Sequence, residues 1–418
     1  MSRLSYVGSL SRTHRMFFPL ALVLFEFSVY LANDMILPGM PAVIHTFHSD
    51  IAYIPTAMTA YLLGGALLQW FLGPLSDRVG RRPVLLVGVL GFAVMCLATL
   101  LVTSIEQFFV LRVIQGMGLC FVTAVGYAAI QETFEEATAV KVTALMANIA
   151  LIAPLIGPLA GAALVTIAPW QSIFVFTAAL TLLSFIGLYR FMPKILPTSS
   201  AQLPFSWAAV ALDYRTVLTN RHFMMGTCAA AFVTLPLLIW ISQAPMILMV
   251  KANLSPIVFG LWQVPIFTGL IIGNFAVGPL VARMPIAKLV HIGAPFVLGG
   301  LLLAWVAMLI VPASYIWLVI GMTVSAIGSG ISSAALTRLT LFCTPIAKGT
   351  ASAVFSMVMM LIFTLGMEGV AVGYPHGGNL FFASVALIFG IVFFICAKRF
   401  TGRVVVTVDA QSDLCSFN

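Results

Sequence analysis

Apolar runs follow one another along nearly the whole chain, separated by short polar stretches. A helix needs about 20 apolar residues to cross the hydrocarbon core of a bilayer. On this measure the sequence predicts twelve membrane-spanning helices, near residues 16–38, 52–74, 84–103, 106–132, 138–168, 170–191, 223–250, 256–281, 288–311, 314–342, 347–371 and 378–397. Prolines mark many of the joints, among them Pro38, Pro41, Pro83, Pro169, Pro193, Pro256, Pro312, Pro345 and Pro375. No stretch alternates polar and apolar residues over ten positions, as a lipid-facing barrel strand would. The pattern therefore predicts an all-α membrane protein.

Composition agrees. Of all residues 61% are hydrophobic and only 8% are charged, against about 25% charged in soluble domains. So few charges cannot cover a water-facing surface. With the N-terminus placed in the cytoplasm, the inner loops and tails hold Arg3, Arg12, Arg15, Arg78, Arg81, Arg82, Lys141, Arg190, Lys194, Arg215, Arg221, Arg283, Lys288, Lys348, Lys398, Arg399 and Arg403. Outer loops hold only Lys251, and Arg112 and Arg338 lie inside spans. This asymmetry puts both termini in the cytoplasm and explains the net charge of +8 without nucleic acid. The first apolar run is too long for a signal peptide, carries two acids and lacks a small-residue cleavage site, so it is expected to stay as the first helix. The six cysteines stand singly, with no metal-ligand spacing, and read as small buried hydrophobes. No metal, cofactor or catalytic motif is expected.

The longest polar stretch, residues 193–221, carries Lys194, Arg215, Arg221 and three prolines. It predicts a cytoplasmic linker between six-helix bundles at 1–192 and 222–400, with a cytoplasmic tail at 401–418. A trace of duplication supports two halves: GPLSDRVGRRPVLLVG at 73–88 aligns without gaps to GPLVARMPIAKLVHIG at 278–293, each after the second span of its half.

Polar residues inside spans are the candidate chemistry. In span one, Glu26 and Asp34 are eight residues apart, about 80° around a helix and ~12 Å along it, with Tyr30 and Asn33 on the arc between. Asp34 could be interfacial, a turn from the outer end, but Glu26 is near mid-membrane. Intramembrane acids act as proton relays or ligand counter-ions. Arg112 lies six residues into span four, where a charge costs at least ~2.5 kcal/mol, so it should face a partner unless it snorkels. By helical rise it could meet Asp34 and hold it ionised. Between spans two and three, GPLSDRVGRRP at 73–83 sets Asp77 among Arg78, Arg81 and Arg82, and Gly73 and Gly80 would allow a tight turn and close helix approach. Glu132 either ends span four as a cap or pairs with that loop. In span five Pro154, Gly157, Pro158 and Gly161 would let a helix bend and pack closely. Tyr127, Met146, Asn148 and Ala150 either line a cavity or pack the core.

Several of these stretches carry a resemblance. G-x-L-x-D-R-x-G-R-R at 73–82 and L-R-x-x-Q-G at 111–116 resemble signatures of the major facilitator superfamily. The G-P-x-x-G core at 157–161 resembles the motif of its drug antiporters. FEFSVYLANDMILPGM, VGYAAIQETFEEA and TALMANIALIAPLIGPLAGAA resemble the bacterial multidrug facilitators of the MdfA type, the likeness being densest over residues 16–170. The resemblance implies a major facilitator fold of two halves rocking about a midplane cavity. It implies a latch at Gly73, Asp77, Arg81 and Glu132, lopsided because Ala282 stands at the second copy's position for Asp77. It implies proton coupling at Glu26, Asp34 and Arg112. Drug contacts are implied at Glu26, Tyr30, Asn33, Asp34, Tyr127, Met146 and Ala150. The expected activity is proton-coupled export of neutral and cationic lipophilic drugs, such as chloramphenicol and lipophilic cations, by a monomer in the bacterial inner membrane. An uptake symporter or ion/proton antiporter of the same fold would share the loop at 73–83, and a membrane scaffold would survive loss of Glu26.

Overall fold

The structure, a computed structural model, describes residues 12–194, 207–344 and 348–415. The side chains of Asp77, Asn148 and Ala150, three of the sequence candidates, lie outside what it describes. Among the described residues the elements are helices of α, 3-10 and π geometry, with no strand. The long ones are α1 (Arg12–Asp34), α2 (Thr56–Val79), α3 (Arg81–Ala98), α4 (Ile105–Gly116), α5 (Glu136–Ile167), α6 (Ser172–Phe191), α7 (Trp207–Thr219), α8 (Arg221–Ala244), α9 (Pro256–Val281), α10 (Ile286–Ile310), α11 (Tyr315–Phe342) and α12 (Lys348–Cys415).

Among the described residues ten helical segments are long and apolar enough to cross a membrane. One of them, Thr350–Gly402, runs 53 residues, more than twice what one crossing needs. Its backbone leaves the helix at Gly378, with φ 57° and ψ −147°. α5 is 32 residues long and contains the apolar stretch Ile152–Ile167. The stretch expected as a linker contains α7, and Asn220 caps the start of α8 by accepting from the backbone N–H groups of His222 and Phe223.

The chain divides into two compact units, Met1–Ser206 with Leu254–Leu261, and Trp207–Asn253 with Trp262–Asn418. In the first, α1 packs on α5 and α6, α2 on α4, and α3 on α6. Lipid offers no hydrophobic drive between helices, so small residues that let backbones meet do the work. A Cβ at Gly64 would collide with the backbone of Val113, and one at Gly116 with that of Tyr61, so α2 and α4 touch main chain to main chain. In the second unit α10 packs on α11 and α8 on α12.

Two expectations about chain geometry change. Span one does not end just past Asp34: α1 stops there, but a 3-10 turn (Leu37–Gly39) and the helix Met40–Thr46 carry the same span on to Thr46. Proline explains the break. Pro38 has no N–H to bond the Asp34 carbonyl four residues back, and Pro41 treats Leu37 alike. The segment 73–83 is also hardly a loop. Residues 73–79 belong to α2 and residues from Arg81 to α3, with Gly80 alone as the joint, at φ 102°. Gly73, expected to help a turn or a close approach, does neither, since a Cβ there would meet nothing within 4 Å.

Candidate functional site

The site is built in the first unit, where α1, α2, the span of α4 and α5 converge. Glu26 is fully buried on α1. The Tyr127 hydroxyl donates to its Oε1 at 3.2 Å, and its Oε2 is buried with no hydrogen-bond partner among the described residues. Tyr127 stands just past a π-helical turn, Phe121–Gly126, that interrupts the α4 span. Such widened turns re-aim the side chains that follow. A carboxyl group so enclosed must be neutralised, by a proton or by a cation.

Eight residues on, Asp34 is 3% exposed, enclosed by protein rather than open to solvent. It accepts from the Asn33 Nδ2 at 3.0 Å. α5 seals its other side. A Cβ at Gly157 would stand 2.6 Å from the Asp34 Cβ, and one at Gly161 would strike the Met35 backbone. The glycines of the span-five motif therefore serve contact with the end of α1. Pro154 and Pro158 sit inside the same continuous helix.

Arg112 is fully buried and does not meet Asp34 directly, contrary to the sequence expectation. Its Nη2 donates to Asn33 Oδ1 at 3.1 Å, its Nη1 to the Ala32 carbonyl at 3.2 Å and Gln115 Oε1 at 3.1 Å, and its Nε to the Ala57 carbonyl at 3.3 Å. The guanidinium carbon lies 4.4 Å from the Tyr61 ring centre, a cation–π contact that strengthens when desolvated. Five planar donors can fill this cage, and the hydrogen bonds reach Asp34 through its neighbour. The connection is thus Arg112 to Asn33 to Asp34, and the Asn33 amide is oriented by it, because arginine only donates.

Sequence reasoning missed Tyr61 and Gln115. Tyr61 donates to the Val29 carbonyl at 2.7 Å, fixing α2 on α1. Gln115 donates to Thr99 Oγ1 at 2.9 Å and the Met95 carbonyl at 3.1 Å while accepting from Arg112. The signal was present: Gln115 lies one helical turn after Arg112 in LRVIQG. Tyr30 is half-buried on α1, and Met146 is fully buried on α5. Among the described residues neither makes a hydrogen bond to Glu26 or Asp34.

At the other end of these helices Arg81 pairs with Glu132 through two hydrogen bonds, Nη2 to Oε1 at 2.8 Å and Nε to Oε2 at 3.3 Å. Arg81 also donates to the Ser76 hydroxyl. Of the two readings of Glu132, the one that pairs it with the 73–83 segment holds. Among the described residues no group of three or more potential metal ligands occurs.

A helical membrane bundle with buried acids inside a spanning helix, a caged arginine and a glycine joint flanked by basic residues defines the class. The chain belongs to the Major Facilitator Superfamily, whose family model matches residues 22–367. It is 52% identical over 375 residues to the multidrug transporter MdfA of Yersinia pestis biovar Antiqua (strain Angola), covering 90% of this chain and 91% of that one. It is 50% identical over 375 residues to the protein of that name from Escherichia coli O6:H1, with the same coverage. Solved structures share the fold at low identity. A bacterial homologue of the human lysosomal transporter Spinster, inward-facing and unoccupied, matches with a TM-score of 0.71 at 16% identity over 93% of this chain and 98% of that one. A D-xylose–proton symporter matches at 0.70 and 14% over 90% and 96%.

Proposed function

We propose that this protein is a multidrug efflux transporter that exchanges protons for lipophilic drugs across the bacterial inner membrane. It is a transporter and not an enzyme. One observation carries the exchange: Glu26 is fully buried in a spanning helix, bonded on one oxygen by Tyr127 and, among the described residues, unpartnered on the other. A carboxyl group in that setting accepts a proton or a cation, and cannot stably lack both. Asp34, equally enclosed, is the second acid. Relatives at 50–52% identity that bear the name multidrug transporter support the drug side of the reading.

In operation, protons reach Glu26 and Asp34 from outside, and a drug arriving from the cytoplasm favours the deprotonated acids. Lipophilic cations are held by the carboxylates. Neutral drugs rest on Tyr30, Asn33, Tyr127, Met146 and Ala150. Asn33 passes the protonation state of Asp34 to the Arg112 cage, and that cage ties α1 to α2 and α4. Each charge carried across the whole membrane is worth about 2.3 kcal/mol per 100 mV, enough to drive a drug uphill. The cytoplasmic segment at Asp77 and Arg81, with Glu132, governs the rate of switching. Twelve crossings with both termini in the cytoplasm, acting as a monomer, complete the reading. In proteoliposomes with an imposed proton gradient, drug should move against the flow of protons. Drug moving with them would mean an uptake symporter, and drug movement indifferent to the gradient would refute coupling.

A further inference from the structure

A second set of buried polar groups lies in the other unit, on α8 and α9. Gln243 is fully buried, and neither its Nε2 nor its Oε1 has a hydrogen-bond partner among the described residues. Gln263, 2% exposed, accepts from the Trp240 indole N–H at 2.9 Å, while its own Nε2 is buried and unpartnered. Trp240 and Gln243 are three residues apart, so they share one face of α8. Trp240 also meets the Phe382 ring edge-on, with centres 6.1 Å apart. A π-helical stretch, Pro245–Lys251, carries the α8 span on past Gln243, so by helical rise Gln243 lies about 12 Å from that end and Gln263 about 10 Å from the start of α9. Buried polar atoms in folded proteins are nearly always bonded, and among the described residues three on these two side chains are not.

From this geometry we infer that Gln243 and Gln263 add hydrogen-bonding contacts for uncharged polar drugs to those the first unit supplies. The indole N–H of Trp240 can only donate, so it fixes the Gln263 oxygen toward itself and leaves the amide N–H pair to donate to a ligand. Gln243 offers both a donor and an acceptor. Trp240 and Phe382 supply an aromatic wall, and apolar walls with a few convergent polar groups characterise small-molecule sites. The site's polar groups are amides and an indole, none ionised. Its ligands are therefore neutral molecules carrying hydroxyl, amide or nitro groups, and a cation with no hydrogen-bonding group gains nothing from it. The inference rests on the multidrug reading and specifies its neutral substrate class.

Two probes test this. Chloramphenicol is neutral and rich in hydrogen-bonding groups, whereas tetraphenylphosphonium is charged and has none. Equilibrium binding of both to purified full-length protein is compared between wild type and Gln243→Met, which keeps the length of the side chain and removes the amide. Chloramphenicol affinity should fall about tenfold, or about 1.4 kcal/mol, with tetraphenylphosphonium unchanged within about twofold. Gln263→Met should show the same selectivity, and Gln243→Asn should keep part of the chloramphenicol affinity; both serve if Gln243→Met does not fold. Equal losses for the two ligands would make the glutamines packing residues and overturn the inference. So would unchanged chloramphenicol binding, which would mean that water satisfies the amides. Wild type that binds neither probe would instead overturn the multidrug reading itself.

Discussion

Replacing Gly157 by alanine tests whether α5 holds the Asp34 end of α1 as closely as the structure places it. The added Cβ would stand 2.6 Å from the Asp34 Cβ and 3.4 Å from its carbonyl carbon. Carbon atoms at rest lie about 3.5–4.0 Å apart, so α5 must retreat by about 1 Å or Asp34 must turn away from Asn33. Overpacking of this kind costs roughly 1–3 kcal/mol. Alanine also favours helix over glycine by up to about 1 kcal/mol, which would mask part of the loss. Gly91→Ala is the control, because a Cβ at Gly91 meets nothing within 4 Å while the helical gain is the same. The difference between the variants is then the overpacking cost alone. At about 2–4 °C per kcal/mol for a unit of this size, Gly157→Ala should unfold at least about 2 °C below Gly91→Ala in detergent. Drug export should fall in Gly157→Ala and stay at the wild-type level in Gly91→Ala. Equal melting temperatures with normal export from both would refute the close contact of α5 with Asp34.

Other substitutions probe the remaining contacts. Glu26→Gln should weaken tetraphenylphosphonium export severely and spare part of chloramphenicol export, measured as transport at matched expression; equal loss of both would make Glu26 a shared proton site and not a cation selector. Asn33→Leu removes the link between Arg112 and Asp34 and leaves a charged donor short of an acceptor, at ~1–3 kcal/mol. Proton-driven export should then drop at least about tenfold while drug still binds, and unchanged export would show that the link is idle. Glu132→Gln breaks the partly exposed pair with Arg81; turnover should slow with little change in drug affinity and at most about 1 kcal/mol lost in stability, the reverse pattern telling against a switching role. Gly73→Ala should be tolerated in both stability and export, since nothing crowds that position, and a marked loss would restore the sequence-based view of Gly73.

Hydrophobic run length made the helical membrane class readable from sequence, because every crossing must satisfy its backbone internally and bury no charge without reason. The same rule exposed Glu26, Asp34 and Arg112, which stand out against an apolar background. What could not be read was who touches whom. Arg112 and Asp34 have opposite charges and similar depth, so a direct pair was the natural expectation. The actual partner, Asn33, is set by the crossing of α1 on α4 and by the break that Pro38 imposes after Asp34. Likewise Gly73 and Gly80 are one residue type in one motif. Only the backbone separates the joint, with φ 102° at Gly80, from a helical position in open space. Tyr61 and the Gln243–Gln263 cluster gave weaker signals, since a single tyrosine or amide in an apolar run has no period to betray it.

Proton release on drug binding addresses the central claim most directly. Purified protein in weakly buffered detergent solution, held at a pH where the acids carry protons, is given tetraphenylphosphonium while the solution pH is recorded. If drug and proton compete for Glu26 and Asp34, the wild type should release protons as it binds, and the Glu26→Gln, Asp34→Asn double variant should release none. Drug binding by the wild type with no proton release, or with proton uptake, would contradict the exchange.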